Sequence, residues 1–243
     1  MYTIIQVYKG VIIIYESETN LSRISAKDIA YEKVKGKIIE CILEPGEPIV
    51  KGKLGKELEI SRTPLREALQ RLEIEELVVR NSNGTFSVAP TSAKEVKELF
   101  IMRSKLEGIL INDAIDNLTE HDIEYLSYLT NMVKMTANME NYIDTENFGG
   151  KFHSAIYTIS RNTTVVNIIY QLNDRINRYR RLAHSHLENI RTSSKEHEYI
   201  LEHMINRDKK AAELEIEDHI IKAMELAVKA IEKYESVIKL EKE

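Results

Sequence analysis

Apolar residues recur along the first third of the chain with two different periods. Ile29, Ala30, Val34, Ile38, Ile39 and Ile42 keep a helical spacing, which predicts a helix from Ala26 to about Leu43, stopped by Pro45-Gly46. Lys51 to Leu58 reads as a second, short helix, broken at Glu59-Ile60-Ser61. Leu65, Leu69 and Leu72 then mark the buried stripe of a third helix, with Pro64 in its first turn and Thr63 as its expected N-cap. Two short helices on a three-residue turn form a helix-turn-helix. The period then changes: Val78 to Arg80 and Thr85 to Val88 read as strands flanking Asn83-Gly84, a favoured hairpin turn. A hairpin after a helix-turn-helix makes it winged.

Beyond residue 91 every segment has a helical period. Helices are expected over about 92–118, 121–139, 142–160, 163–188, 193–206 and 208–238, with Thr119, Ser193 and Asp208 as N-caps. Ser92 and Glu95 have the spacing of a capping box, and Gly149-Gly150 is expected to interrupt the third of these helices. The predicted fold class is therefore mainly α: a winged helix-turn-helix over residues 25–90, then an all-α helical bundle over 91–243. Residues 1–24 form an extension in which the β-branched run from Ile4 to Tyr15, broken at Lys9-Gly10, reads as a strand or hairpin. That run is too short to span a membrane, and no small-residue cleavage site follows it.

Composition narrows the function. One cysteine in 243 residues leaves neither a disulfide framework nor a thiolate zinc site, and it points to a reducing, cytoplasmic setting. The net charge of −5 is uneven: residues 25–90 balance 11 basic against 11 acidic residues, whereas 91–243 carry 21 against 26. Within 51–71 six basic residues face three acidic ones, so an acidic protein still has a local surface for a polyanion.

Arg62 and Arg66 crowd the start of the third helix, where the helix dipole disfavours cations. An external anion explains them: helix N-termini reach base edges and phosphates, and the guanidinium fork fits guanine or phosphate. Each arginine taken alone is an ordinary surface residue pairing with Glu59, Glu67 or Glu73; the combination with helix, turn and wing favours DNA. Six of the seven histidines lie beyond residue 150. His121, His184, His186 and His203 read as ordinary surface or partly buried residues. His153, His197 and His219 sit mid-helix beside apolar residues on three segments, and three imidazoles can converge on a divalent metal. An interior histidine more often only hydrogen-bonds.

The stretch "ISRTPLREALQRLEIEELVVRNSNGTFSV", with "ILEPGEPI" before it, resembles the DNA-binding signature of GntR-family transcriptional regulators. "ELFIMRSKLEG", "FHSAIYTISRN" and "RTSSKEHEYILEHMINRDKKAAELEIEDHI" resemble the FadR-type effector domain, FCD, of the same family. The resemblance implies that Arg62, Thr63 and Arg66 contact bases or phosphates and that Gly84 meets the minor groove. Gly52 stands where some relatives carry a basic residue, between Lys51 and Lys53. It further implies that His153, His197 and His219 hold a metal such as Zn or Ni, and that Arg103 lines the effector pocket. Arg103 is also spaced for a salt bridge to Glu107. Gly149 replaces the family's usual Asp ligand, which weakens the metal site, and Glu146 lies about 10 Å along an intact helix from His153.

The expected protein is a ligand-responsive regulator of a metabolic operon, not an enzyme. Its expected partners are a double-stranded DNA operator, a small carboxylate effector and a second copy in a homodimer, with no membrane. Two alternatives compete: a metal-dependent hydrolase, which leaves the winged motif unexplained, and an effector-binding protein without DNA affinity, against which Arg62 and Arg66 argue.

Overall fold

The computed structural model describes residues 5–8, 11–14, 25–183 and 190–240. The chain divides into two compact units, Met1–Thr91 and Ser92–Glu243. The architecture is the expected one, a winged helix-turn-helix followed by an all-α unit.

The first unit opens with β1 (Ile5–Tyr8) and β2 (Val11–Ile14), paired antiparallel with Ile5 opposite Ile14. Helix α1 (Ala26–Ile39) starts under a Ser25 cap, whose hydroxyl accepts the Asp28 N–H. It stops at Ile39, four residues before the expected end. Cys41 enters the left-handed region at φ 54°, its N–H returns to the Ile38 carbonyl, and the Ile42 N–H returns to Lys37. This Schellman closure leaves Ile42 outside the helix and exposed; Ile29 is exposed too, so the buried stripe of α1 is Ala30, Val34 and Ile38.

Strand β3 (Pro48–Ile49) leads into α2 (Lys51–Leu58), and α3 (Arg62–Ile74) follows. The turn between the two helices is tight: Glu59 is left-handed at φ 57° and the Ile60 N–H bonds the Gly55 carbonyl at 2.8 Å. A Cβ on Gly55 would come within 2.9 Å of the Ile60 carbonyl oxygen, so only glycine fits there. The N-cap of α3 is Ser61, not Thr63, because the helix begins at Arg62. Pro64 is thus its third residue, still within the first turn where no N–H has a helical partner. Leu65, Leu69 and Leu72 are fully buried against α1, roughly 1.5–3 kcal/mol each in transfer free energy.

The wing is β4 (Val78–Arg80) and β5 (Phe86–Val88) in a sheet ordered β3-β5-β4. Its loop differs from the expected two-residue Asn83-Gly84 turn. The Asn81 N–H bonds Thr85 and the Gly84 N–H returns to Asn81, so Ser82, Asn83 and Gly84 form a three-residue loop with Gly84 at φ 77°. The Asn83 side chain accepts from both the Thr85 N–H and hydroxyl, which tightens the tip and delays β5 to Phe86.

The second unit consists of α4 (Ala93–Asn117), α5 (Glu120–Asn138), α6 (Tyr142–Ser160), α7 (Thr163–Ala183), α8 (Ile190–Ile205) and α9 (Lys209–Leu240). Thr119 and Asp122 form a reciprocal capping box on α5, and Asp208 caps α9. Ser92 caps α4, but the expected box is half made, because the Glu95 carboxylate pairs with Arg175. Ser193 lies inside α8, not at its start. The expected end of the fourth helix, with His184 and His186, falls outside the described residues. Helix α6 runs unbroken through Gly149-Gly150, so Glu146 stays about 10 Å along the axis from His153. Helix α4 packs against α6, α7 and α9 and carries Arg103 and Glu107 into the middle of the bundle. Among the described residues no helix is long and apolar enough to cross a membrane.

Candidate functional site

In the first unit the polar face of α3 carries Arg62, Thr63, Arg66 and Gln70, all exposed. Its first turn holds no acidic residue, and the Ser61 side chain makes no cap hydrogen bond. The cations of this unit divide into two groups. Arg71 stacks 3.6 Å over the Tyr31 ring and bonds Glu75 at 3.2 Å, and Arg80 forks onto Glu73 at 2.8 and 3.0 Å. Lys37 pairs with Glu57, and Lys51 lies 5.3 Å over the Phe86 ring. Arg62 and Arg66 make no ion pair with any described residue, and Glu73, one of their expected acidic partners, is held by Arg80. Beside Gly52, Lys53 is the exposed cation. Among the exposed arginines of the described first unit, Arg62 and Arg66 are therefore the ones whose charge no acidic partner answers.

In the second unit His153 on α6, His197 on α8 and His219 on α9 converge. All three are buried, and one ligand atom of each lies within 4.8 Å of the others. Two carboxylates orient two of them. Glu107 accepts from His153 Nδ1 at 2.6 Å and Glu196 accepts from His219 Nδ1 at 2.7 Å. An ionised carboxylate only accepts, so each Nδ1 carries its proton and each Nε2 presents a lone pair. Those two Nε2 atoms stand 3.3 Å apart. Burial pulls the His153 imidazole down to about 4, against the opposing pull of Glu107, and burial lowers His219 as well, so both rings are neutral at pH 7. Two facing lone pairs repel unless a cation joins them. Two nitrogens each about 2.0–2.1 Å from one tetrahedral ion lie about 3.3–3.4 Å apart, so this donor pair fits a divalent transition metal.

Gly149 faces the same cluster. A Cβ placed there would be 3.4 Å from His197 Nε2, an ordinary contact, so a side chain at this position would start against the cluster.

Arg103 is 2 % exposed. Its Nε and Nη2 both reach Glu107 Oε1 at 2.6 Å, the expected i, i+4 salt bridge, while Nη1 is buried without a hydrogen-bond partner. Tyr157 donates its hydroxyl to the same Oε1 at 2.6 Å. Burial alone would raise the Glu107 carboxyl; the charge of Arg103 and the donors His153 and Tyr157 outweigh it and hold the group far below the usual carboxylate range. Burial and the nearby Arg103 charge pull Arg180, on α7, down to about 10. Two guanidiniums that repel one another, one with an unsatisfied N–H, are chemistry that suits an anion.

Sequence reasoning missed Glu196, Tyr157 and Arg180. Tyr157 stands four residues after His153 and shares its helix face, so spacing carried a signal. Glu196 meets His219 across two helices, and nothing local announces that. His121 is exposed and His203 half-buried, and neither joins the cluster.

Residues 26–88 match the bacterial regulatory proteins, gntR family, and residues 98–222 match the FCD domain. Among curated proteins the chain is 28% identical over 190 residues to the uncharacterized HTH-type transcriptional regulator YdhC of Bacillus subtilis, covering 78% of this chain and 85% of that one. It is 27% identical over 177 residues to the Nta operon transcriptional regulator of Aminobacter aminovorans, covering 66% and 82%. The solved structure of E. coli McbR/YncC superposes with a TM-score of 0.70 at 21% identity, over 84% of this chain and 98% of that one, a likeness of fold. These matches are transcriptional regulators rather than enzymes.

Proposed function

The chain belongs to the GntR family of bacterial regulators, in the branch with an FCD domain, and from that premise we propose that it senses a small carboxylate through a metal centre. As a member of that family it is a DNA-binding transcriptional regulator. In our reading residues 25–90 form the DNA-binding domain and 91–243 the effector domain. Arg62, Thr63 and Arg66 contact the operator, with Gly84 at the minor groove. His153, His197 and His219 bind Zn or Ni through neutral nitrogens, a donor set that suits those ions better than Mg or Ca. With three protein ligands, the ion keeps open positions for the effector carboxylate, whose far side meets Arg103.

The observation that carries this reading is the pair of Nε2 lone pairs 3.3 Å apart beside a buried guanidinium N–H without a partner. Both features call for a ligand, one cationic and one anionic. The protein acts in the cytoplasm as a homodimer on a near-palindromic operator, since two symmetric half-sites require two recognition helices. Ligand binding shifts the relative placement of the two heads. The hydrolase alternative loses ground because Glu107 and Glu196 both orient imidazoles, which removes them as general bases. The test is operator selection from genomic DNA, followed by affinity measurements on metal-stripped and zinc-loaded protein with and without carboxylates. Zinc-dependent, carboxylate-responsive affinity supports the proposal; a protein that takes up no divalent transition metal overturns its metal part.

A further inference from the structure

The anion site and the histidine cluster share one side chain. Glu107 on α4 is fully buried, and its two oxygens serve different masters: Oε1 accepts from Arg103 and Tyr157, and Oε2 accepts from His153. Glu196 holds its histidine differently. It accepts from His219 and pairs with Lys222 at 3.0 Å, and that lysine is half exposed at the surface of α9. The two second carboxylates are thus alike toward the metal ligands and unlike in what stands behind them.

Resting on the metal-and-carboxylate reading above, we propose that Glu107 is the positioning residue that couples anion binding at Arg103 to metal binding at His153. An anion that engages Arg103 Nη1 shares the guanidinium's charge. Glu107 is then less compensated on its Oε1 side, and its Oε2 becomes a stronger acceptor for the His153 Nδ1–H. A stronger acceptor there makes Nε2 a better donor to the metal. By reciprocity the metal, drawing on His153, tightens the hold of Arg103 on the anion. A glutamine cannot replace this carboxylate. With its oxygen toward Arg103 and Tyr157, its amide N–H faces His153 Nδ1 and forces the other tautomer, which removes the Nε2 lone pair. Flipped, it turns an N–H donor against the guanidinium. Glu196 has no contact with Arg103, so the same change there weakens the metal without touching the coupling.

Zinc titrated by calorimetry into full-length wild type, Glu107→Gln and Glu196→Gln, with and without millimolar acetate at matched ionic strength, tests this. Wild type is expected to bind zinc about fivefold tighter or more with acetate present. Glu196→Gln weakens zinc about 10–100-fold and keeps that ratio; Glu107→Gln weakens it comparably and lowers the ratio, leaving only the part that comes from the carboxylate's own bond to the metal. Should Glu107→Gln not fold, Glu107→Asp keeps the buried charge but is one methylene too short to span both partners, and the ratio falls there too. A wild-type ratio retained in whichever Glu107 variant folds overturns the proposal while leaving the metal site standing. Zinc binding in wild type with no acetate effect does the same. No zinc binding in wild type removes both this proposal and the reading beneath it.

Discussion

Arg66 and Arg103 are the same residue type put to opposite electrostatic use. Arg66 stands exposed on α3 with no ion pair among the described residues, its charge solvated by water. Arg103 is buried, and its charge persists there only because Glu107 answers it at 2.6 Å. A surface cation costs the fold almost nothing and shows its worth only in the complex. A buried cation is first a structural commitment, and only the part of it left without a partner is available to a ligand.

The largest effect expected from breaking this contrast is on stability. Arg103→Ala strands the Glu107 carboxylate in the bundle and should destabilise the protein by about 3–5 kcal/mol in thermal or urea unfolding. Arg66→Ala in the same assay should stay within about 0.5 kcal/mol of wild type. Equal melting curves for the two variants would show that Arg103 is not held as described.

Acid should find the buried site and spare the exposed one. His153 has its pKa lowered to about 4 in the folded protein, with His219 lowered as well, whereas the unfolded chain takes up these protons near the ordinary histidine value. A depressed folded pKa gives stability that is complete above about 6.5 and is lost as pH falls toward about 4. One such histidine contributes at most on the order of 1.4 kcal/mol per pH unit across that window. Metal-free protein melted in chelator across that range should lose stability progressively. A flat profile would mean that the imidazoles are already charged or solvated.

On the exposed side, Arg66→Ala should weaken operator binding by about 1–3 kcal/mol if its fork reads a base, measured by fluorescence anisotropy. Arg71→Ala, which removes a cation already stacked on Tyr31 and paired with Glu75, should change operator affinity far less. Equal losses would place the DNA contact on the wrong arginines. The smallest effect sharpens the buried side: Gly149→Asp adds a carboxylate on the unbroken helix, its Cβ 3.4 Å from His197 Nε2, and should tighten zinc by about one order of magnitude, near 1.4 kcal/mol. Unchanged or weaker zinc binding by calorimetry would show that the face of α6 does not open on the ion.

What could be read from the chain alone follows the range of the forces involved. The winged motif was legible because its signals are local: the leucine period of α3, Pro64 in a first turn, a glycine in a hairpin. The errors there are local as well. Thr63 stood in for Ser61 as cap, and Cys41 ended α1 early in a backbone conformation that nothing about cysteine announces. Gly149-Gly150 looked like a break, yet burial and packing of α6 hold the helix through it. The convergence of three histidines was a conjecture from context. The orientation of His153 by Glu107 and of His219 by Glu196 was not available at all, because those contacts join positions 46 and 23 residues apart on different helices.

Cys41 has company. Glu76, Glu140 and Arg207 occupy the same position past the ends of α3, α5 and α8, each left-handed with φ between 55° and 58° and each closing the helix with the same pair of returning N–H bonds. L-residues pay roughly 1 kcal/mol for that conformation, and glycine does not. Arg207 is retained for another reason, since its guanidinium bonds the carbonyls of Ile115 and Leu118. Glu76 and Glu140 are exposed acids in that conformation, so a glycine at either surface corner would relieve that backbone cost, set against the contact each glutamate makes. A strain living at higher temperature could gain endurance there, one codon at a time, while its regulatory circuitry stayed as it was.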